Sequence, residues 1–514
     1  MWGPVNMFVE RTTASVLFVD VNVTAVSSSV LPMTRSWGPA APCNGSTAYF
    51  SPTVPISAVS LYVLDAVVLS FVLKSFALAV PSEALTTTVD IGCGGAYNVL
   101  IRSSFLADGA LLDWSGLHKV LFTAGPRFRR ALRSANVALV GNMTMNYMTL
   151  QWIGFNLSCA GFCANVVIGG SATWQMFRLY MAVTLLTEPR HGAGTQPMSV
   201  PWCDFFISSG ASPAGGVWYY IGHNENVTEP PIDSWVASSN VFVQTLGPQS
   251  SITFAGDSFS SDAANVVAQG EFYAADIVVT SSSLRVGWDI AFPDDAGRQL
   301  RANVVLIKTS LNDSTVSVTA SQIDTEGRYA ACCWPSCAVA NVLFEGTSLV
   351  FAAVAVVALS TSVLIDAAPS HPCQGNVSAA SALLSDTQIT CSVVTLIAPA
   401  LNNTVSAHRG VVVGLWHLRG STLRNSAALL RSSAASLLSH AGPSLVFGAF
   451  VEQSVLQGVV FSMYGADDQW TFAATDAPSD VVRVRILQWC NSTVRDAQFN
   501  IAGQRSMVVE GKKH

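Results

Sequence analysis

The sequence predicts an all-β protein, and three observations carry that prediction: the ratio of apolar to charged residues, the kind of polar residue, and a short recurring pattern. Half of the 514 residues are hydrophobic and only 11% are charged, so the chain can bury a large core and is not disordered. The polar residues include 93 Ser plus Thr and 22 Asn, against 10 Glu and 5 Lys. Because Glu and Lys normally cover the solvent side of helices, whereas Ser, Thr and Asn favour strands and turns, the surface is typical of β structure.

The recurring pattern consists of two apolar residues, four mostly polar or small residues, and another apolar residue. Each strand of a solenoid points alternate side chains inward and each coil covers the next, so short apolar strands between polar turns predict a parallel β-solenoid. Pattern starts at 253, 278 and 305 are 25 and 27 residues apart, about one coil, whereas gaps of 38 residues would require looped-out insertions. The pattern occurs, in places loosely, as VLIRSSF (99–105), TFAGDSF (253–259), VVTSSSL (278–284), VLIKTSL (305–311), LFEGTSL (343–349), VLQGVVF (455–461) and TVRDAQF (493–499).

Strand-like segments and turns alternate from one end of the chain to the other. We therefore predict a single irregular β-solenoid over 1–514, with a secondary boundary near 366–376, where DAAPSHPCQGN interrupts the pattern. The alternative all-β architecture is a row of tandem β-sandwiches of about 100 residues each. No Pro/Ser-rich linker divides the sequence into such blocks, which favours the solenoid.

Glycosylation sequons and cysteines favour export from the cytoplasm. Asn-x-Ser/Thr sequons are acceptors on the surfaces of exported proteins, and chance would give roughly four in a chain of this composition. The 11 cysteines include no Cys-x-x-Cys pair, so they indicate disulfides, such as a link from Cys373 to Cys391, and no metal site. The nine sequons are at Asn22, Asn44, Asn142, Asn156, Asn226, Asn312, Asn376, Asn402 and Asn491.

The two ends of the sequence carry no export signal of their own. The start, MWGPVNMFVERTTASV, has neither a basic segment nor an uninterrupted apolar one, and the end, SMVVEGKKH, has no spanning helix or lipid-anchor tail. If the protein is exported, we expect this sequence to be a piece of a longer protein, attached to any membrane through a segment outside it.

Charge excludes one class of partner. The formal net charge is −6, and a protein of this charge without a basic patch is not expected to bind nucleic acid. The densest cationic cluster is interpreted as a solvated segment, and comprises Arg127, Arg129, Arg130 and Arg133.

Membrane insertion is an alternative because of one segment. Residues 348–365, SLVFAAVAVVALSTSVLI, are 18 residues without a charge, which is a marginal length for a spanning helix. Ser360, Thr361 and Ser362 interrupt its apolar character. An integral membrane protein anchored near 348–365 is therefore the less favoured hypothesis.

Motifs for catalysis are weak. A polysaccharide hydrolase or lyase needs clustered carboxylates, and the sequence offers the pairs Asp294-Asp295 and Asp467-Asp468; adjacent aspartates more often form turns. The sequence contains no Gly-x-Ser-x-Gly, HExxH, Walker or GxGxxG motif. Its eight His are scattered, so we expect no catalytic residue, no cofactor and no metal. Trp218-Tyr219-Tyr220 is interpreted as a buried strand, in preference to a sugar-stacking platform.

Two long segments suggest a family. VVRVRILQWCNSTVRDAQFNIAG (481–503) and VVVGLWHLRGSTLRNSAALL (411–430) resemble coils of the pectin-lyase-like right-handed parallel β-helix. With the scattered sequons and cysteines and the richness in Ala, Val and Ser, the chain resembles the dispersed-gene-family surface glycoproteins of trypanosomatids and similar membrane-associated proteins of free-living kinetoplastids. It departs from them in being far shorter and in lacking spanning segments near its end. The enzyme motifs Asn-Thr-Asp, Gly-His-Gly and Arg-Ile-Lys of the β-helix hydrolases are absent.

These observations together predict a surface-displayed or secreted glycoprotein with a structural, adhesive or ligand-presenting role and no catalysis. The resemblance implies a right-handed coil and a partner that is a host or cell-surface protein or glycan. The two alternatives are a carbohydrate-active β-helix enzyme and the anchored membrane protein.

Overall fold

The structure is a computed structural model whose strands extend along the whole chain. It describes, with short gaps, residues 5–23, 56–123, 134–187, 202–208, 238–286, 299–329, 336–367, 376–440, 444–477 and 482–511, and it describes side chains mainly between 249 and 500. Every regular element in these ranges is a strand. The strands pair in parallel and stack as a β-solenoid, so the predicted all-β solenoid is confirmed.

The chain divides into two compact units. The first comprises Met1–Phe259 with Phe272–Val278, and the second comprises Ser260–Glu271 with Val279–His514. Strands on the two sides of the predicted boundary at 366–376 pair with each other, as in the register of Cys337 with Val377. The single solenoid over 1–514 stays a prediction.

Unit 1 consists of parallel strands stacked in register. One column of its first sheet runs through six pairings and contains only Val, Ile and Leu, with Ile101 and Val243 fully buried. By their larger part, its strands are β1 (Val5–Glu10), β2 (Thr13–Ala14), β3 (Leu17–Val23), β4 (Ile56–Leu64), β5 (Val67–Val68), β6 (Phe71–Ala77), β7 (Leu85–Asp90), β8 (Gly95–Arg102), β9 (Phe105–Leu106), β10 (Leu111–Gly116), β11 (His118–Thr123), β12 (Ser134–Val140), β13 (Thr144–Asn146), β14 (Thr149–Leu157), β15 (Cys163–Gly169), β16 (Thr173–Gln175), β17 (Arg178–Thr187), β18 (Trp202–Ser208), β19 (Ser238–Leu246) and β20 (Ser251–Ser261).

Unit 2 repeats a regular coil. Its strands are β21 (Ala264–Tyr273), β22 (Asp276–Val286), β23 (Gln299–Asn312), β24 (Thr315–Tyr329), β25 (Ser336–Glu345), β26 (Ser348–Val350), β27 (Ala353–Ala367), β28 (Asn376–Ser385), β29 (Gln388–Thr390), β30 (Val393–Ile397), β31 (Ala400–Ser406), β32 (Val411–Arg419), β33 (Thr422–Arg424), β34 (Ala427–Arg431), β35 (Ala434–His440), β36 (Ser444–Glu452), β37 (Val455–Gln457), β38 (Val460–Tyr464), β39 (Trp470–Ala477), β40 (Val482–Cys490), β41 (Thr493–Arg495), β42 (Gln498–Ala502) and β43 (Arg505–Gly511).

Each complete coil of unit 2 has three parts joined by two tight corners. A long strand of the first sheet (β25, β28, β32, β36 or β40) leads through the first corner into a three-residue middle strand (β26, β29, β33, β37 or β41). The second corner leads into the last sheet, formed by β27 and by the pairs β30–β31, β34–β35, β38–β39 and β42–β43. Hydrogen bonds between equivalent corner positions join residues 40, 34, 33 and 38 apart, which are the coil lengths.

The recurring sequence pattern marks the first corner, although its period was partly misjudged. Val305 pairs with Leu343 and Val455 pairs with Thr493, so a gap of 38 residues is one coil. The prediction that such gaps need looped-out insertions is wrong. The 27-residue spacing from 278 to 305 joins β22 to β23, which belong to different sheets.

Both corners of every coil use a residue in the left-handed conformation. Twelve corner residues have φ between 46° and 61°, a region that costs most residues about 1–2 kcal/mol. Each turn is therefore made by one residue of reversed backbone. The residues are Lys308, Gly346, Asp386, Gly420, Gln453 and Asn491 at the first corner, and Asp313, Phe351, Cys391, Asn425, Gly458 and Asp496 at the second.

A column of hydroxyls follows the first corner. The backbone N–H of Thr387 donates to Ser421 Oγ (3.2 Å), and that of Ser421 donates to Ser454 Oγ (3.0 Å). Ser421 Oγ in turn donates to Leu384 O (3.2 Å). Because this position is buried and its backbone faces inward, a side chain that both accepts and donates satisfies groups that water cannot reach. The hydroxyl ladder comprises Thr309, Thr347, Thr387, Ser421, Ser454 and Ser492.

A second buried polar column lies inside the first sheet. Asn265 Nδ2 donates to Asn303 Oδ1 (2.6 Å), Asn303 Nδ2 to Thr325 Oγ1 (2.9 Å), and Thr325 Oγ1 to Asn341 Oδ1 (2.8 Å). These side chains are at most 1% exposed, so the contacts form an asparagine ladder across coils. In each case the asparagine precedes a valine of the same strand: Asn265-Val266, Asn303-Val304 and Asn341-Val342.

The remaining core is apolar and regular. Register pairs align Leu306, Phe344, Leu384, Leu418 and Val451 in one column, and each is at most 1% exposed. In the last sheet buried and solvent-facing residues alternate, as in the burial of every second residue of β30. This alternation has the period of a strand, and it confirms that the apolar side chains fill the inside of the coils.

The segment 348–365 forms strands. Its first part is β26, Phe351 turns the corner, and the rest enters β27 with alternating exposure. The predicted membrane-spanning helix at 348–365 is therefore wrong, because the corner ends any regular element after three residues. Among the described residues no helix has the length and hydropathy to cross a membrane.

Candidate functional site

The outward surfaces of unit 2 differ in chemistry from one part of the coil to the next. The middle strands present polar side chains outward, including Gln388, Thr422 and Arg424. The last sheet has two parts, because each coil breaks between them, as at Ala398 and Pro399 between β30 and β31. Beyond the break, Ser362, Asn402 and Ser436 form a hydroxyl and amide row.

Before the break, the same sheet is mostly apolar. We call the outer residues of β30, β34, β38 and residues 353–357 of β27 the apolar face. They are aligned coil by coil in three columns, and Val393, Val460 and Tyr464 are 39%, 38% and 42% exposed. The apolar face comprises Ala353, Ala355, Val357, Val393, Thr395, Ile397, Ala427, Leu429, Arg431, Val460, Ser462 and Tyr464.

The predicted glycan acceptors have exposed side chains wherever those side chains are described. Asn312 ends β23 before the second corner, Asn402 lies on β31, and Asn491 makes the first corner after β40; all three are exposed. Asn22, Asn156 and Asn376 lie on β3, β14 and β28, and their side chains are not described. Asn44, Asn142 and Asn226 lie outside the described residues.

The first sheet is bent, and the bend brings outer side chains together. The rings of Phe447 and Phe450 lie 5.4 Å apart, although residues three apart on a straight strand point to opposite faces. His417 stacks on Phe450 at 5.1 Å and meets the edge of Phe447 at 5.8 Å. The neighbouring Gly414 has no room for a side chain, because a Cβ there would lie 2.0 Å from the Phe447 ring.

This bend contains a polar cluster that we call the His417 notch: Ser378, His417, Arg419 and Glu452. The ring nitrogen Nδ1 of His417 lies 3.2 Å from Ser378 Oγ, and Nε2 lies 3.8 Å from Glu452 Oε2. Nε2 has no hydrogen-bond partner among the described residues, and His417 is 7% exposed. The three coils β28, β32 and β36 each contribute one member of the Ser–His–Glu series.

The charge state of the His417 notch is set by contact between coils. Interaction with the His417 imidazole lowers the pKa of the Glu452 carboxyl, burial opposes this, and the nearby Arg419 adds a smaller lowering. Arg419 is the register partner of Glu452. The carboxyl is therefore held as a carboxylate to lower pH than usual.

The hydroxyl–imidazole–carboxylate order is the one that nucleophilic catalysis uses. Here, however, the imidazole is packed between two phenylalanine rings and its nearest carboxylate oxygen is at 3.8 Å. We interpret the notch as a filled, hydrogen-bonded bend. Sequence reasoning missed it because Ser378 and His417 are 39 residues apart, which is one coil and no recognised motif.

Several predicted features fall outside the described residues. They are Asp294-Asp295, Asp467-Asp468, Trp218-Tyr219-Tyr220 and the cluster Arg127, Arg129, Arg130 and Arg133. In the part of unit 2 that is described, Cys391 and Cys490 are free and exposed. The expected link from Cys373 to Cys391 is therefore wrong. Across the described ranges, no group of His, Cys, Asp and Glu has the arrangement of a metal site.

Comparison with known proteins gives no relative. No protein-family model matches the chain and no curated protein matches it.

Proposed function

We propose that this chain is an N-glycosylated, non-catalytic protein of the cell surface or the extracellular space, which presents the outer faces of its solenoid to a partner. The observation that carries the proposal is the placement of Asn312, Asn402 and Asn491, each an exposed asparagine of a sequon on unit 2. Glycan transfer requires an accessible asparagine. The partner class we propose is a host or cell-surface protein or a glycan.

The solenoid suits such a role for a physical reason. Stacked coils hold side chains in fixed rows, so a partner meets preorganised polar or apolar columns at little ordering cost. Adjacent faces differ: the middle strands are polar and the apolar face lies one corner away. A structural, adhesive or ligand-presenting role needs no further chemistry. Membrane attachment, in this proposal, is through a segment outside the chain.

Glycan mapping tests the proposal. The full chain, purified from eukaryotic secretory expression, is digested with and without peptide-N-glycosidase in heavy-oxygen water and read by mass spectrometry. We expect conversion of Asn312, Asn402 and Asn491 to labelled aspartate. Asn425 is the matched control, since it is exposed at a corner but lies outside any sequon. Unmodified asparagine at all three sequons, in a protein that has passed through the secretory pathway, would contradict the proposal.

A further inference from the structure

The apolar face is unusual in its composition for a surface that faces solvent. Nine of its twelve positions are apolar and a single one, Arg431, is charged. With about 4.8 Å between strands and about 6.8 Å between alternate residues, twelve positions cover about 400 Å². A patch of this size on a monomer is often a binding site. It is about half of what one partner contributes to a standard stable interface, so it fits a weak contact.

The first column of the apolar face alternates small and large residues along the solenoid. Its members, in successive coils, are Ala353, Val393, Ala427 and Val460. Reversing the order of this column places each valine opposite an alanine. A twofold axis parallel to the strands produces that reversal while leaving the columns facing each other. Ala353 then meets Val460 of a second copy, and Val393 meets Ala427.

The other columns and the charge agree with this arrangement. The same axis sets Arg431 opposite Ile397 of the second copy, so the two arginines do not meet. In the remaining column, Thr395 meets Leu429. A partner with its own charged surface would leave charge unpaired against an almost uncharged face. A solenoid face with the same strand spacing, in contrast, offers rows of matching period.

We propose that the apolar face is a homotypic contact, in which two copies of this chain pack face to face about a twofold axis parallel to the strands. The inference deepens the proposed surface role by naming the partner, but it rests on the fold and not on export or glycosylation. Two flat sheets packed in this way lie about 10 Å apart. The contact is isologous, so the same residues serve both copies.

The test measures self-association of the full chain by sedimentation velocity over a wide concentration range, with glycans removed. We expect a reversible monomer–dimer equilibrium. Val393→Glu puts a carboxylate against Ala427 of the second copy and should raise the dimer Kd at least tenfold. Gln388→Glu, an exposed position on a middle strand, is the matched control and should change the Kd less than twofold. A wild-type chain that stays monomeric would overturn the proposal, as would equal effects of the two variants.

A mixing experiment tests the twofold register. Ala427→Arg alone should weaken association as Val393→Glu does. An equimolar mixture of the two variants pairs a glutamate with an arginine across the axis, so it should form a heterodimer with a Kd at least tenfold below either variant alone. No restoration would overturn this arrangement. Because the glycan map is measured separately, failure here leaves the proposed glycoprotein role to its own test.

Discussion

At the scale of single residues, the corners are where the backbone is least tolerant. Gly420 and Gly458 have φ of 59° and 61°, and a Cβ at either would lie 2.4 or 2.5 Å from the side-chain oxygen of Asp386 or Asn425 on the preceding coil. Two demands therefore meet at each glycine: reversed backbone and space beside a neighbouring corner. Gly346, with φ of 56°, meets only the first, since the nearest atom to its Cβ would be Lys308 Cγ at 3.8 Å.

Substitution at these glycines separates the two demands. We expect Gly346→Ala to lower the free energy of unfolding by about 1 kcal/mol, the cost of the left-handed conformation. Gly420→Ala should cost more, about 2 kcal/mol, because Asp386 must also move. Urea denaturation measures both values, and Asp386→Ala combined with Gly420→Ala should remove the excess. Equal losses in the two single variants would argue against the close approach.

The His417 notch gives a pH-dependent prediction. The pKa of the Glu452 carboxyl is lowered in the folded chain, chiefly by His417. A group with a depressed folded pKa stabilises the fold above its unfolded pKa, and the contribution is lost as the pH falls through the folded pKa. His417→Asn should therefore raise the pKa of Glu452 toward its ordinary value of about 4.5 in an NMR titration.

The stability profile provides a second measurement for the notch. Below neutral pH, wild-type unfolding free energy should fall more steeply than that of Glu452→Gln over the range below the ordinary carboxyl pKa. Glu326→Gln is the matched control on the last sheet and should keep the wild-type slope. If His417→Asn leaves the Glu452 titration unchanged, the contact between coils is not the cause of the shift.

At the scale of elements, the sequence predicted strands well because alternation is a local property. Burial of every second residue in β30 and β34 follows from the period of two that the apolar residues display. The coil length was harder to predict, because it depends on connections of different length: successive coils take 40, 34, 33 and 38 residues. Corner residues share a backbone conformation and no residue type, as Lys308, Gly346 and Asp386 illustrate.

A better signal was present in the sequence. The triplet Ala-Asn-Val occurs at 264–266, 302–304 and 340–342, spaced by 38 residues. The asparagines form the buried ladder, and the following valines pack in the core. Sequence reasoning counted asparagine only as a turn and sequon residue. The His417 notch could not be found either, because its members are neighbours only after the coil length is known.

Removal of one rung tests the asparagine ladder. Asn303→Ala leaves Asn265 Nδ2 and Thr325 Oγ1 without the Asn303 partner inside the core, so we expect a loss of about 2 kcal/mol or more in unfolding free energy. Asn402→Ala, at an exposed strand position, should change it by less than about 0.5 kcal/mol in the unglycosylated chain. Equal effects of the two substitutions in chemical denaturation would show that the ladder contributes little.

At the scale of the whole molecule, stability and surface both come from repetition. Each coil covers the next, so the column from Leu306 to Val451 stays buried and the outer residues form continuous rows. The same stacking aligns the hydroxyl ladder, the apolar face and the exposed sequon asparagines. Function, in our proposal, depends on these rows and not on a catalytic pocket. Every conclusion about the surface therefore depends on the register of the coils.

The most direct test of that register is a distance between two outer residues of the middle strands. Ser348 and Thr493 occupy the same column, four pairings apart, which places their backbones about 19 Å apart at about 4.8 Å per strand. Spin labels on non-canonical ketone residues at these sites leave the native cysteines unlabelled. Pulsed dipolar spectroscopy should give a narrow distribution near 20 Å, and moving one label from Ser348 to Gln388 should shorten it by one strand spacing. A broad distribution, or one beyond about 35 Å, would contradict the parallel stack of coils.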